Sequence, residues 1–349
     1  MGLRYIGSKA RVSDDIVALL GEPNARYRRL VDGFCGTGSV AAAAAATGWD
    51  VLVNDTLYSS AVMAAARLVA VEDAQFHGVG GYQAACRRLN DLTPRPGFIA
   101  EQYSPLSREH TGVERRYFTT ENAARIDTVR CSVEQWHDDG RLTSAERHLL
   151  LADLMVAANQ VANIAGTYGC FLKGWSSTAT RPLTLTPRPL LTEPVSSEMV
   201  VGDVLEIDYS TKDVAYFDPP YTKRQYAAYY HILETIAVGD RPQVEGVTGL
   251  RPWKHLASDY SYRSRAREAL RRLVEQCPAE RVLLSYSNEG HVTRADIEAV
   301  LDGQGAVTVH TVGNIGRYRP NREAAARGSY VQEYVFEVVR DGDDTKVAP

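Results

Sequence analysis

The residues whose types and spacing could do chemistry begin with Asp218-Pro219-Pro220-Tyr221, directly behind an apolar run, Val214-Ala215-Tyr216-Phe217. The run has the length and composition of a buried strand. Two prolines after the acid forbid further ladder pairing and fix an extended turn, so the strand must stop there. A carboxylate, two carbonyls and an aromatic ring are then displayed at the carboxyl edge of a sheet, where open α/β folds take their ligands. An exocyclic amine on a nucleobase suits that display. Asp218 and the Pro219 carbonyl can accept its two hydrogens while Tyr221 stacks on the ring, which localises the nitrogen lone pair and aims it at an electrophile. The plainer reading is a surface turn, since Asp and Pro are ordinary turn residues. The rest of the chain favours the chemical one.

A second constellation lies near the N-terminus. Arg29-Leu30-Val31-Asp32 leads into Gly33-Phe34-Cys35-Gly36-Thr37-Gly38-Ser39-Val40 and an alanine run, Ala41 to Ala46. This predicts strand, glycine turn and helix, the alanines extending the helix and letting it pack close to a sheet. Gly36 and Gly38 let backbone N–H groups approach a ligand without a Cβ in the way. The spacing is neither G-x-G-x-x-G nor a P-loop. Asp50 to Asp55 reads as a second strand ending in an acid about 20 residues past the turn, where a nucleoside-binding unit reaches ribose hydroxyls. Alone, Asp55 would be a loop acid or a cap; beside the glycine turn, a ligand role is the better reading.

The elements that must position these groups alternate strand and helix at both ends of the chain. A helix is predicted from Val12 to Leu20, with Ser8 or Ser13 as its cap, behind Arg4-Tyr5-Ile6-Gly7-Ser8-Lys9. Met199 to Val204 and Asp213 to Phe217 read as strands, Ala227 to Ala237 as a helix, Arg281 to Asn288 as a buried strand, and Gly305–Val312 with Tyr330–Val339 as a terminal hairpin. Between Ser59 and Leu191 the alternation is lost. Ala61–Val71, Gly81–Leu89 and Ser144–Val161 read as helices of an inserted subdomain. Within it, the stretch from Asn159 to Trp175 is either an irregular core loop or a substrate-facing loop that brings Lys173 near phosphate.

Composition narrows the class. The 349 residues are 44% hydrophobic and 23% charged, as in a globular protein with a core, and no run approaches the ~18 apolar residues of a membrane span. The N-terminus has no signal-peptide pattern, so an intracellular location is expected. Five cysteines, scattered and never paired as C-x-x-C, indicate neither a disulfide framework nor a zinc site. A net charge of −4 argues against indiscriminate polyanion binding but leaves room for a local basic cleft.

With these residues assembled, the sequence resembles the DNA adenine methylase family, the alpha group of N6-adenine DNA methyltransferases, over most of the chain. The resemblance rests on Arg4–Lys9, Phe34-Cys35-Gly36-Thr37-Gly38, Asn54-Asp55, Gly202-Asp203-Val204, Asp218–Tyr221, Arg224-Gln225-Tyr226, Tyr230–Glu234, Ser285–Gly290 and Tyr318–Arg322, in that order. It implies a class I S-adenosylmethionine-dependent, Rossmann-like α/β sheet with an inserted, mainly helical subdomain. The catalytic domain would comprise residues 1–58 and 196–340, the helical or target-recognition subdomain residues 59–195, and a frayed tail residues 341–349. It also implies S-adenosyl-L-methionine as methyl donor. By position, Phe34, Gly36 and Gly38 would underlie its methionine moiety, Asp55 would hold the ribose, Asp203 beside Val204 would bond the adenine amine, and Tyr5 and Lys9 would lie near its carboxylate end.

The implied reaction is methyl transfer to N6 of a flipped-out adenine in duplex DNA, with Asp218, Pro219, Pro220 and Tyr221 catalytic and Asp218 an orienting acceptor. Lys173, Arg224, Tyr226, Arg317, Arg319 and Arg322 are the nucleic-acid-binding candidates; Arg271 and Arg272 read as a solvated helix face. Duplex DNA is the expected partner, with a restriction or defence system as an optional companion and no membrane or metal. The expected location is the cytoplasm, at the nucleoid when bound to DNA. An RNA adenine or cytosine-N4 methyltransferase, or an idle nucleic-acid-binding module on the same fold, remains the alternative. A glutamine-amide methyltransferase is disfavoured by Asp218, and C5-cytosine chemistry by the lack of a Pro-Cys nucleophile.

Overall fold

The computed structural model describes residues 6–316 and 330–340. The chain divides into two compact units, one of Met1–Gly7, Leu57–Pro194 and Tyr226–Ala257, the other of Ser8–Thr56, Val195–Gln225 and Ser258–Pro349. Residues 226–257, expected in the catalytic domain, group with the helical unit.

The second unit holds a sheet that has seven strands among the described residues. These are β1 (Arg29–Asp32), β2 (Asp50–Asp55), β3 (Ser197–Val201), β4 (Val214–Phe217), β5 (Arg281–Ser287), β6 (Ala306–Gly316) and β7 (Tyr330–Val339). Their order is β3-β2-β1-β4-β5-β7-β6. The first five run parallel, and β7 is antiparallel to both neighbours. Because the order reverses between β1 and β4, these strands flank a topological switch point, the crevice where such sheets bind ligands. Asp32 pairs with Tyr216 there, so the glycine turn after β1 and the Asp218 turn after β4 emerge side by side.

Helices in chain order are α1 (Ser13–Leu20), α2 (Ser39–Ala45), α3 (Tyr58–Ala65), α4 (Tyr82–Asn90), α5 (Phe98–Tyr103), α6 (Ser107–Thr111) and α7 (Thr120–Asp138). They continue with α8 (Ser144–Gln160), α9 (Tyr226–Tyr229), α10 (His231–Val238), α11 (Ala266–Gln276) and α12 (Arg294–Leu301). The central strands are apolar on both faces because helices cover both. Val31, Leu52, Ala215, Phe217, Val282 and Leu284 share one core with Leu270, Leu273 and Val274 of α11 and Ile297 and Leu301 of α12. One residue out of step, Leu30, Val51, Val53, Tyr216 and Leu283 are equally buried. Alternation points them to the opposite face.

Several expected boundaries shift for identifiable reasons. Val12, not a serine, occupies the N-cap of α1 and makes no side-chain cap bond. The helix expected from Ala61 to Val71 starts earlier, at Tyr58, because the Glu234 carboxylate accepts from Tyr58 N at 3.1 Å and Ser59 N at 2.9 Å, satisfying two amides of its first turn. The helix expected from Ala227 to Ala237 is broken at Tyr230 into α9 and α10. In the same unit α8 begins with a capping box, Thr143 bonding Glu146 N at 3.2 Å while Glu146 accepts from Thr143 N at 2.9 Å.

Candidate active site

Asp218 stands one residue past β4 and Lys9 precedes α1, yet they meet. Lys9 Nζ lies 3.2 Å from Asp218 Oδ1 and 2.8 Å from Glu333 Oε2 on β7. Lys9 and Glu333 are almost wholly buried. Burial works against the charge on Lys9, but Asp218, Tyr221 and Glu333 around it hold its pKa well above the usual lysine value. Burial also pushes the Asp218 carboxyl up to about 6, Lys9 opposing the rise and Glu333 adding to it. Although it is ion-paired, the buried Asp218 Oδ1 accepts no hydrogen bond among the described residues. It is an acceptor with capacity left.

Tyr221 is fixed at three points. Its hydroxyl donates to Glu333 Oε1 at 3.3 Å, its carbonyl accepts from His291 N at 2.8 Å, and its ring lies 5.6 Å from that of Tyr286. Lys9 Nζ sits 5.3 Å from the ring centroid, within cation–π reach. Pro219 is buried and Pro220 half-buried, and neither has an N–H to compete for an acceptor.

The glycine turn is shaped by the same strand ends. Gly36 and Gly38 take φ of +50° and +72°, conformations that a side chain would strain. Gly36 N donates to Asp55 Oδ2 at 3.1 Å, and Asn54 Nδ2 donates to Gly33 O at 3.0 Å, so the end of β2 holds the turn after β1. A Cβ on Gly33 would fall 2.8 Å from Val204 and 2.9 Å from Phe217, too close for any other residue without movement. Phe34 packs edge-on against Tyr260, with ring centroids 5.2 Å apart. Asp203 is exposed and spends Oδ1 on Leu205 N at 3.0 Å, capping a short 3-10 turn in which Val204 is buried. Beneath the turn Asp32 is buried, and burial, with Asp218 and Asp55 nearby, raises its carboxyl to about 8. Its Oδ1 and Asn54 Oδ1 are buried without hydrogen-bond partners among the described residues.

The structure therefore gathers Lys9, Phe34, Gly36, Gly38, Asp55, Asp203, Val204 and Asp218–Tyr221 within the sheet unit. Arg224 is exposed in that unit, and Ser261 Oγ donates to its carbonyl at 2.8 Å. Lys173 is exposed and Tyr226 opens α9, both in the helical unit. Tyr5, Arg317, Arg319 and Arg322 lie outside the described residues. Arg271 ion-pairs with Glu268 and Glu275 on its own exposed helix face. Sequence reasoning assigned nothing to Glu333 or Asp32.

Among the described residues, no group of His, Cys, Asp and Glu could hold a metal ion, and no helix is long and apolar enough to cross a membrane. The strand order, with its antiparallel β7, and the two turns at the switch point define a class I methyltransferase fold. More narrowly, the chain belongs to the D12 class N6 adenine-specific DNA methyltransferase family, whose model matches residues 5–296. It is 31% identical to Type II methyltransferase M.FokI of Planomicrobium okeanokoites, over 97% of this chain and 53% of that one. It is 34% identical to Modification methylase LlaI of Lactococcus lactis subsp. lactis, over 83% and 47%. It is 31% identical to Type II methyltransferase M.NlaIII of Neisseria lactamica, over 86% and 88%. The chain thus spans about half the length of the first two and most of the third.

Proposed function

We propose that the protein is a site-specific DNA methyltransferase acting on N6 of a flipped-out adenine in duplex DNA, with S-adenosyl-L-methionine as methyl donor. The observation that carries this reading is Asp218 Oδ1, buried at the mouth of the switch point and accepting no hydrogen bond among the described residues, directly before the N–H-free prolines. An exocyclic amine has two N–H donors, one for Asp218 and one for the Pro219 carbonyl.

The donor set fits the methyl donor. Asp32 Oδ1 and Asn54 Oδ1, under the glycine turn and without hydrogen-bond partners among the described residues, suit a polar, amine-bearing ligand. Asp32, Phe34, Gly36 and Gly38 would hold its methionine part, Asp55 its ribose, and Asp203 and Val204 its adenine; Tyr5 belongs to the same proposal by position. When bound, the donor supplies a methyl group already activated on a positive sulfur.

The chain's own residues then align and stabilise. A target adenine must leave the stack, which costs a few kcal/mol. Stacking on Tyr221 returns about 1–3 kcal/mol. Because hydroxyl, carbonyl and ring of Tyr221 are all anchored, that surface is ready before the base arrives. As N6 gains positive charge, Asp218 binds it better than it binds neutral adenine, the differential affinity a catalyst needs. The carboxyl at about 6 suits an orienting acceptor, ionised at neutral pH.

Lys173, Arg224 and Tyr226, with Arg317, Arg319 and Arg322, are the proposed contacts to DNA, arginine serving phosphate or guanine. Relatives named as modification methylases make a cognate restriction or defence system the proposed companion, and the cytoplasm the proposed setting. The test is transfer of a tritiated methyl group to duplex DNA followed by nucleoside analysis. Label in N6-methyladenine is expected; label only in RNA, in N4-methylcytosine or in no product would reject the reading.

A further inference from the structure

Lys9 has two carboxylate partners where one would neutralise it. The nearer is not the proposed catalytic acid but Glu333, at 2.8 Å against 3.2 Å for Asp218. Glu333 is 2% exposed, on a strand that otherwise buries Val335, Phe336 and Val338. Placing a carboxylate in such a strand is costly unless its charge is used. Its two oxygens divide their work, Oε2 on Lys9 and Oε1 on the Tyr221 hydroxyl.

Counting charges shows what the second carboxylate changes. A Lys9–Asp218 pair alone is neutral, its ammonium committed to the acceptor that the target amine needs. With Glu333 included, one ammonium serves two carboxylates and the cluster is net negative. In a low-dielectric site that difference favours a nitrogen becoming cationic. We propose that Glu333 is a positioning residue for the transfer: by sharing the Lys9 ammonium it leaves Asp218 available to the target amine and gives the cluster the negative charge a cationic nitrogen requires. This rests on the assignment of Asp218 as the amine's acceptor.

The charged and titratable groups around Asp218 are Lys9 and Glu333, Asp32 on β1, and Tyr216 and Tyr221 on either side of it. The test uses Glu333→Gln, Lys9→Met and the double variant in the full chain, with two readouts: Asp218 titration by carboxyl 13C NMR without ligands, and single-turnover methyl transfer to duplex DNA. Glu333→Gln lowers the Asp218 pKa and slows transfer by about 10-fold to 100-fold, with KM for DNA little changed. Lys9→Met leaves two carboxylates facing each other, raises the Asp218 pKa and shifts activity to higher pH. The double variant restores a net charge of minus one and recovers part of the rate lost in Glu333→Gln. A merely structural Glu333 would give no recovery and no movement of the Asp218 titration, which would overturn the proposal. If the titrations move as stated but the wild type methylates an acceptor other than adenine, the shared ammonium stands and the assigned substrate falls.

Discussion

Gly36 N donates to Asp55 Oδ2 at 3.1 Å, joining a glycine turn to the strand end 19 residues later. The bond sets the course of backbone whose φ is already positive, so the proposed cofactor cradle depends on an acid that is itself a proposed ribose ligand. Asp55→Ala loses both functions. A hydrogen bond to a charged group is worth roughly 1.5–3 kcal/mol, so S-adenosylmethionine affinity is expected to fall at least about tenfold by calorimetry. Unchanged affinity would remove Asp55 from the cradle.

The pH profile follows from Asp218. Its carboxyl is raised from an ordinary 3.8 to about 6, so it is an ionised acceptor above that value and a protonated one below it. The transfer rate at saturating substrates should therefore be level above about pH 7 and fall as pH drops through about 6. A rate that holds level to pH 5 would show that the ionised form is not required.

Asp32 carries a stability prediction of its own. Its folded carboxyl sits near 8 against 3.8 ordinarily, so the fold favours the protonated form. That contribution is complete below the ordinary value and is lost as pH rises through about 8. Thermal unfolding of the wild type should weaken between pH 6 and pH 9 through this group, and Asp32→Asn, free of the titration, should lose less. An Asp32→Asn protein with the same pH dependence as the wild type would contradict it.

Glu234 anchors the start of α3, accepting from Tyr58 N, Ser59 N and Ser59 Oγ at 3.1, 2.9 and 2.6 Å. Glu234→Ala leaves these buried donors without a partner and should cost about 2–4 kcal/mol in urea unfolding. A loss under about 0.5 kcal/mol would mean that the donors find other partners.

What could be read from the sequence was whatever local chemistry dictates. The prolines after Asp218 end β4 in any context, and Gly36 and Gly38 sit where the turn needs positive φ. The long helix α7 escaped notice because its buried face includes Asn122, Asp127 and Arg130, which blur the apolar period. Asp127 is there to accept from Gly97 N, Ile99 N and Ala100 N at 2.9 Å each, a tertiary need that no periodicity reveals. Glu333 was illegible for a related reason. Its partners Lys9 and Tyr221 lie 324 and 112 residues away and meet it only once the strands are ordered. Residues 226–257 read as a continuation of the catalytic domain because they follow its turn directly, yet α10 packs with α3 and α8.

Asp218 is proposed to hold the target amine rather than the donor of the methyl. The most direct measurement pairs calorimetry and labelled methyl transfer on Asp218→Ala. The expected result is S-adenosylmethionine affinity within about threefold of wild type and transfer to duplex DNA reduced by at least about a hundredfold. An Asp218→Ala enzyme that still methylates adenine at near wild-type rate, or one that loses transfer only because it no longer binds the donor, would contradict it.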